Sequence, residues 1–257
     1  KSISSKKTVI IPSFICPLIP LAIKRAGLKV LTCDINKDNF DFEINQLKGL
    51  VFANSDILAI VPVHLAGLAV DFKVIWKIAR ENKLFIIEDC AQSLGAMYQG
   101  KKVGTLGDFS FFSLCRGKGL TIYEGGVIIS GLKFASLIDA TRKRIAKDDF
   151  LSEGLKLLEL FGYWLFYRPS LFWFVFRLPQ IYWKMRGERE KAFIEYFTVD
   201  FPLHKVSQIR KRIGQAMFKR LDQEITEQRQ KAADYIAGLK DAPGITLITE
   251  ATDCRSN

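Results

Sequence analysis

The chain has 257 residues, 49% of them hydrophobic, which suits one large domain or a domain with an appendage and is too apolar for a disordered chain. Its 38 lysines and arginines against 27 acidic residues leave a net charge of +11, which points to nucleic acid, anionic lipid or phosphorylated small molecules without choosing among them. The five cysteines, Cys16, Cys33, Cys90, Cys115 and Cys254, form no CxxC pair and stand near no pair of histidines, which argues against a disulfide framework or a metal site and for a reducing cytosol.

The predicted elements begin with a strand over KTVIIPSF, a helix over CPLIPLAIKRAG closed by Gly27, and a strand over KVLTCDI. ILAIVPVHL comes next, then a helix over DFKVIWKIARENK, then the runs LFIIED, DFSFFSL and GGVIIS. Apolar runs alternating with helices predict an α/β fold, a mostly parallel sheet with helices on both faces. Ligands of such sheets sit beyond the carboxyl ends of the strands, where Asp89 and the loop holding Lys118 fall. Residues 132–150 predict a charged helix. Residues 155–184 are crowded with aromatics, but Arg168-Pro169 and Arg177 cut them into halves too short for a span of roughly 20 residues. Residues 205–240 predict one long amphipathic helix, and GITLIT a strand. The expected division is a core over 1–150, an aromatic helical insertion over 151–200 and a further unit over 201–257.

Asp89, ending an apolar strand, needs a cationic or hydrogen-bonding partner to stay ionised, or else it or Ser93 caps the following helix. A protonated pyridine nitrogen is another such partner. Lys118 stands between Gly117 and Gly119, which leave room around its amine; taken alone, a loop lysine is a solvated charge. Ser113, five positions earlier, ends its strand with a hydroxyl that can donate to a phosphate, and Gln92 follows Asp89 by three. Singly these residues say little. Together they occupy two successive strand ends.

In order and spacing, VIIPSFICPLIPLAIKRAGLKVLTCDI, IVPVHLAGLAVDFKVIWKIARENKLFIIEDCAQSLGA, GKKVGTLGDFSFFSLCRGKGLTIYEGG and LDQEITEQRQKAADYIAGL resemble the DegT/DnrJ family of pyridoxal-phosphate sugar aminotransferases. The resemblance covers residues 8–130 and returns over 203–248. It implies the large domain of a type I-like aminotransferase fold with part of a small C-terminal domain, and pyridoxal 5'-phosphate as cofactor. It places Asp89 at the ring nitrogen, Gln92 beside the cofactor, Ser113 at the phosphate, and Lys118 as the lysine that holds the cofactor and moves the proton. His64 matches a motif histidine that supports the strand end. Cys16 stands where many members carry a stacking aromatic, and Cys115, Arg116 and Gly117 where many carry histidine, proline and threonine. The resemblance also implies a chain cut at both ends, with a phosphate-binding turn before Lys1 and a lobe continuing past Glu250.

The implied function is transfer of an amino group from an amino acid, glutamate in most members, to a keto sugar on a nucleoside diphosphate, for surface polysaccharide or aminosugars. The expected assembly is a cytoplasmic homodimer. An inactive remnant serving as a scaffold is the alternative, and nucleic-acid binding by the basic helix has little support, since that helix also carries acids. The insertion, with Trp164, Trp173 and Trp183 beside Arg168, Arg177, Lys184 and Arg186, suits either packing within the protein or contact with the inner membrane face, the former being favoured.

Overall fold

A computed structural model describes residues 4–147, 150–187, 200–201, 203–248, 250 and 253–256. Strand β1 (Thr8–Pro12) sends Val9 and Ile11 to one side and Ile10 to the other, all buried. Helix α1 (Leu18–Arg25) leads to β2 (Lys29–Cys33), and α2 (Ile44–Ala53) to β3 (Ile57–Ile60). Helix α3 (Phe72–Asn82) starts at Asp71, whose carboxylate accepts from the Lys73 N–H, and stops at Lys83 in the left-handed conformation. It buries Phe72, Ile75, Ile78 and Ala79, a stripe at helical spacing. Burial of each of its larger side chains contributes about 1.5–3 kcal/mol. Strand β4 (Phe85–Asp89), the short β5 (Met97–Tyr98) and β6 (Lys101–Lys102), then β7 (Phe109–Ser113) and β8 (Gly126–Ser130) complete this half.

The main sheet has the order β2-β1-β3-β4-β7-β8, parallel throughout except for β8, which runs antiparallel to β7. Ile15, Ile19 and Ile23, from α1 and the turn before it, pack over Val9, Ile11, Ala59 and Val61. On the other face α2 and α3 cover Ile10, Ile57, Ile60 and Ile86. The predicted α/β architecture with helices on both faces is therefore present. Helix α2 was not among the predicted elements: its apolar positions are interrupted by Gln46, Lys48 and Gly49, and its clearest signal is Glu43, whose side chain accepts from the Gln46 N–H.

The second half holds α4 (Ala135–Arg144), β9 (Ala146–Lys147), α5 (Phe150–Phe166), α6 (Leu178–Met185), β10 (His204–Lys205), α7 (Gln208–Phe218), α8 (Leu221–Leu239) and β11 (Cys254–Arg255). Three expectations change. The charged helix ends at Arg144, because Ile145 turns extended and β9 pairs with β10. The long helix over 205–240 is two helices, broken at Lys219–Arg220 so that Leu221 and Ile225 of α8 become buried. Residues 244–248 form no strand, and Thr249 lies outside the described residues; it is β11 that pairs, antiparallel, with β5. The aromatic stretch is interrupted after Phe166 and resumes in a π-helical turn (Trp173–Arg177) ahead of α6. Among the described residues no helix is long and apolar enough to cross a membrane. Residues 188–199 of the expected insertion lie outside the described residues.

Candidate active site

Strands β4 and β7 are neighbours, with Asp89 opposite Phe111, so their carboxyl ends bring Asp89 and Ser113 to the same edge of the sheet. Between β7 and β8 the chain runs out through Lys118 and back. Leu114 and Gly125 pair across the base of this loop, Arg116 N–H donates to Tyr123 O at 3.1 Å, and Leu120 and Ile122 are buried beneath. Gly117 has φ +76°, a conformation that side chains rarely adopt, yet nothing stands within 4 Å of where its Cβ would be. It is there for the backbone rather than for space. Gly126 is different: a Cβ would lie 2.6 Å from Phe112 O, so the strand β8 side of the loop admits only glycine.

A cavity of about 620 Å3 opens over these strand ends. Gln92, Ser113 and Lys118 line it from the β4 and β7 ends, Tyr163 from α5 and Tyr167 from just past its end, and Glu224 and Gln228 from α8. Asp89 is 4% exposed and its Oδ1 accepts from the Ala91 N–H at 2.9 Å. Burial pushes its carboxyl above the usual carboxylate range, opposed by the Ala91 hydrogen bond and by the electrostatic influence of His64 and Lys118. Gln92 Oε1 accepts from the Ala66 N–H at 2.9 Å, which ties the β4 end to the turn after β3. Ser113 Oγ accepts from the Cys115 N–H at 3.4 Å, leaving its hydrogen to donate elsewhere. All four residues singled out in the sequence thus stand at or beside one cavity. Cys16, by contrast, is exposed and is not among the residues lining it.

His64 is fully buried in the support beneath. Its Nδ1 accepts from the Val70 N–H at 3.1 Å, so Nε2 donates to Glu88 Oε2 at 3.2 Å. Glu88 also accepts from the N–H groups of Gly104, Leu106 and Gly107, each at 2.7 Å. His64, Glu88 and Cys90 offer ligand atoms within 4.8 Å of one another. The histidine and carboxylate atoms among them are already committed to these hydrogen bonds, and burial holds the Cys90 thiol far above its usual range, so the cluster is a buried strut and not a metal centre.

The sequence model of the DegT/DnrJ/EryC1/StrS aminotransferase family matches residues 1–131, just over half of the chain. The chain belongs to this family. Among its curated relatives, GDP-perosamine synthase of Escherichia coli O157:H7 is 34% identical over 131 residues, 51% of this chain and 35% of that protein. The pleiotropic regulatory protein of Geobacillus stearothermophilus is 28% identical over 229 residues, 89% of this chain and 49% of that protein. The chain thus spans between a third and a half of the length of these relatives. The fold is shared with E. coli GDP-4-keto-6-deoxy-D-mannose-3-dehydratase, solved with bound hydrated PLP, at a TM-score of 0.69 and 20% identity, covering 98% of this chain and 58% of that one.

Sequence reasoning missed the α5 and α8 side of the cavity. Tyr163 and Tyr167 are four apart, but in a run with aromatics at most other positions that spacing carried no signal. Arg210 was equally hidden. It reads as one charge on a charged helix face, whereas it is fully buried, donates from Nη2 to Glu153 Oε2 at 2.9 Å and from Nη1 to Glu124 O at 2.7 Å.

Proposed function

We propose that the chain forms the cofactor-binding part of a pyridoxal-phosphate aminotransferase. It moves an amino group from an amino acid, glutamate by the resemblance, to a keto sugar carried on a nucleoside diphosphate, for surface polysaccharide or aminosugar synthesis. The observation that carries this reading is that Gln92, Ser113 and Lys118 line one cavity over adjacent strand ends, with Asp89 buried at the end of β4 at the same sheet edge. The residues fit the cofactor: a buried carboxylate with a single backbone donor on Oδ1 suits a protonated ring nitrogen, and a hydroxyl with a free hydrogen suits a phosphate oxygen. The similarity to GDP-perosamine synthase supports the substrate class, and the net charge of +11 suits a pyrophosphate.

When bound, pyridoxal phosphate supplies an electron sink and a carbon that takes up amines. Asp89 would keep the ring nitrogen charged, which would give that sink its pull. Ser113 would hold the phosphate and Gln92 would lie beside the cofactor. Lys118 would hold the cofactor and, as a free amine, would take the α-proton as a base and return it as the conjugate acid. Leu94 and Leu120 on the cavity wall exclude water from that transfer.

The test is uptake of pyridoxal phosphate by the full chain, with borohydride reduction and peptide mass analysis to locate the attachment. Attachment at Lys118 is expected; a chain that takes up no cofactor supports the remnant or scaffold reading instead. Asp89→Asn is expected to weaken uptake by about tenfold or more, since about 1.4 kcal/mol of charge attraction is tenfold. The same change should raise the melting temperature of the cofactor-free chain at neutral pH. Because the folded carboxyl lies above its unfolded value, ionising it costs stability as pH rises through the folded value, and asparagine removes that cost. Melting curves between pH 4 and 8 should show the gap to wild type widening upward.

The partners we propose are a second copy of the chain, checked by sedimentation, and the inner face of an anionic membrane. The second rests on α5 and α6. Leu155, Leu158, Phe161 and Trp164 are each more than half exposed, Met185 is 83% exposed, and basic groups fringe them, with Arg168 over the Trp164 ring and Arg186 over the Tyr182 ring. Apolar helix faces edged with arginine and aromatics suit a bilayer surface. The full chain is expected to float with vesicles containing phosphatidylserine, and Phe161→Glu with Trp164→Glu to abolish it; flotation unaffected by that pair would overturn the membrane reading.

A further inference from the structure

One face of α7, extended back to Val206 just before its cap, lies against the returning limb of the loop that carries Lys118. The contacts recur at every fourth residue, 206, 210 and 214. A Cβ on Gly125 would stand 2.9 Å from Val206 Cγ2, so glycine is what lets that valine seat on the limb. Arg210 Nη1 donates to Glu124 O at 2.7 Å. A Cβ added to Gly214 would stand 3.2 Å from Cγ2 of the buried Ile122. Residues 125, 124 and 122 are thus laid along α7 in antiparallel order. From this limb hydrogen bonds run out to the tip: Leu114 N–H to Gly125 O at 2.9 Å, Arg116 N–H to Tyr123 O at 3.1 Å and Lys118 N–H to Cys115 O at 3.3 Å. Tyr123, next to Glu124, has φ +75°, a conformation that persists in a non-glycine residue only where its surroundings impose it.

We propose that Arg210 is a positioning residue for Lys118: by holding the Glu124 carbonyl it fixes the returning limb, and through the limb the tip that presents the amine to the cavity. The proposal rests on the reading of Lys118 as the cofactor lysine. Arg210 is fully buried, and its fork divides between two elements, Nε and Nη2 going to the Glu153 carboxylate of α5 and Nη1 to the loop. Guanidinium suits the task, because its donors lie in one plane and serve a carboxylate and a carbonyl together, and a charged donor makes the stronger bond. Stability alone does not account for such a residue, since an apolar pair of similar volume is as stable as a buried ion pair or more so. What the apolar pair lacks is the bond to Glu124 O. The same residue is held at its other end, where Lys156 Nζ lies 3.2 Å from the Glu124 carboxylate.

The test is amide hydrogen exchange on the full chain without cofactor, in the double variant Glu153→Leu with Arg210→Met. A purely structural role for Arg210 predicts a chain that melts near wild type and keeps a wild-type loop. The positioning role predicts the same melting with exchange over residues 114–125 raised about tenfold or more, the effect of losing a charge-assisted hydrogen bond, while β1 to β4 stay unmoved. Lys118 should also react faster with an amine-labelling reagent, measured by peptide mass against the other lysines, and the pH profile of that reaction should shift. Arg210→Lys guards against a double variant that fails to fold: it keeps a cation beside Glu153 but lacks the fork, and should loosen the same residues. Loop exchange and Lys118 labelling equal to wild type in whichever of the two variants folds would overturn the proposal. None of these readouts needs cofactor. A chain that takes up no pyridoxal phosphate and yet shows the loosening would refute the cofactor reading and leave the hold on the loop standing; cofactor attached at Lys118 with an unmoved loop would do the reverse.

Discussion

Replacing Lys118 by alanine is expected to remove covalent cofactor attachment entirely and to lower amino transfer by at least about 10^3-fold, because both the link and the proton carrier are lost with one amine. Lys118 is half-buried in the wall of the cavity, so stability should stay within about 1 kcal/mol of wild type. Mass analysis after borohydride reduction and single-turnover assays with glutamate read the two effects separately. Arginine should not rescue, since a guanidinium keeps its proton and cannot attack a carbonyl. A Lys118→Ala chain still bearing reducible cofactor at another lysine would end the assignment of this residue.

Cutting the tie between α5 and α7 is the change with the largest expected effect on stability. Arg210 is fully buried and Glu153 side-chain exposure is 14%, so Glu153→Gln leaves a guanidinium without a counter-charge in the interior. Breaking such a pair costs about 3–5 kcal/mol, whereas replacing both partners by apolar residues costs little or nothing. Thermal denaturation should show Glu153→Gln melting roughly 10 °C lower, with Glu153→Leu plus Arg210→Met restored toward wild type. The pH dependence has a definite sign. Hydrogen bonds from Arg210 hold the Glu153 carboxyl below its usual range, so its contribution is full above the unfolded value of about 4.3 and is lost as pH falls through the folded value. That acid loss should be absent in the glutamine variant. If the double replacement melts as low as the single one, the cost lies in packing and not in charge.

The two predictions divide along what the chain discloses locally. Lys118, Ser113, Asp89 and Gln92 were legible because strand ends are set by short apolar runs, and residues at those ends in a parallel sheet must converge on one edge. The family resemblance, and not the strand pattern, implied His64 as support, and it is buried with hydrogen bonds to Val70 and Glu88. Helix α2 escaped notice because Gln46, Lys48 and Gly49 blur its apolar stripe, and the break between α7 and α8 because Lys219 and Arg220 are good helix formers that only the burial of Leu221 forces apart.

Periodicity by itself determined that strands and helices alternate and that the sheet is mostly parallel, since apolar burial at period two or 3.6 is written residue by residue. Which way α5 faces was decided only by the tertiary structure. An aromatic run can turn either side inward, and here Arg210 and the Glu124 carboxylate draw Glu153 and Lys156 in, while Leu155, Leu158, Phe161 and Trp164 stay outside. Those partners are more than 30 residues distant in sequence, beyond the reach of any local pattern.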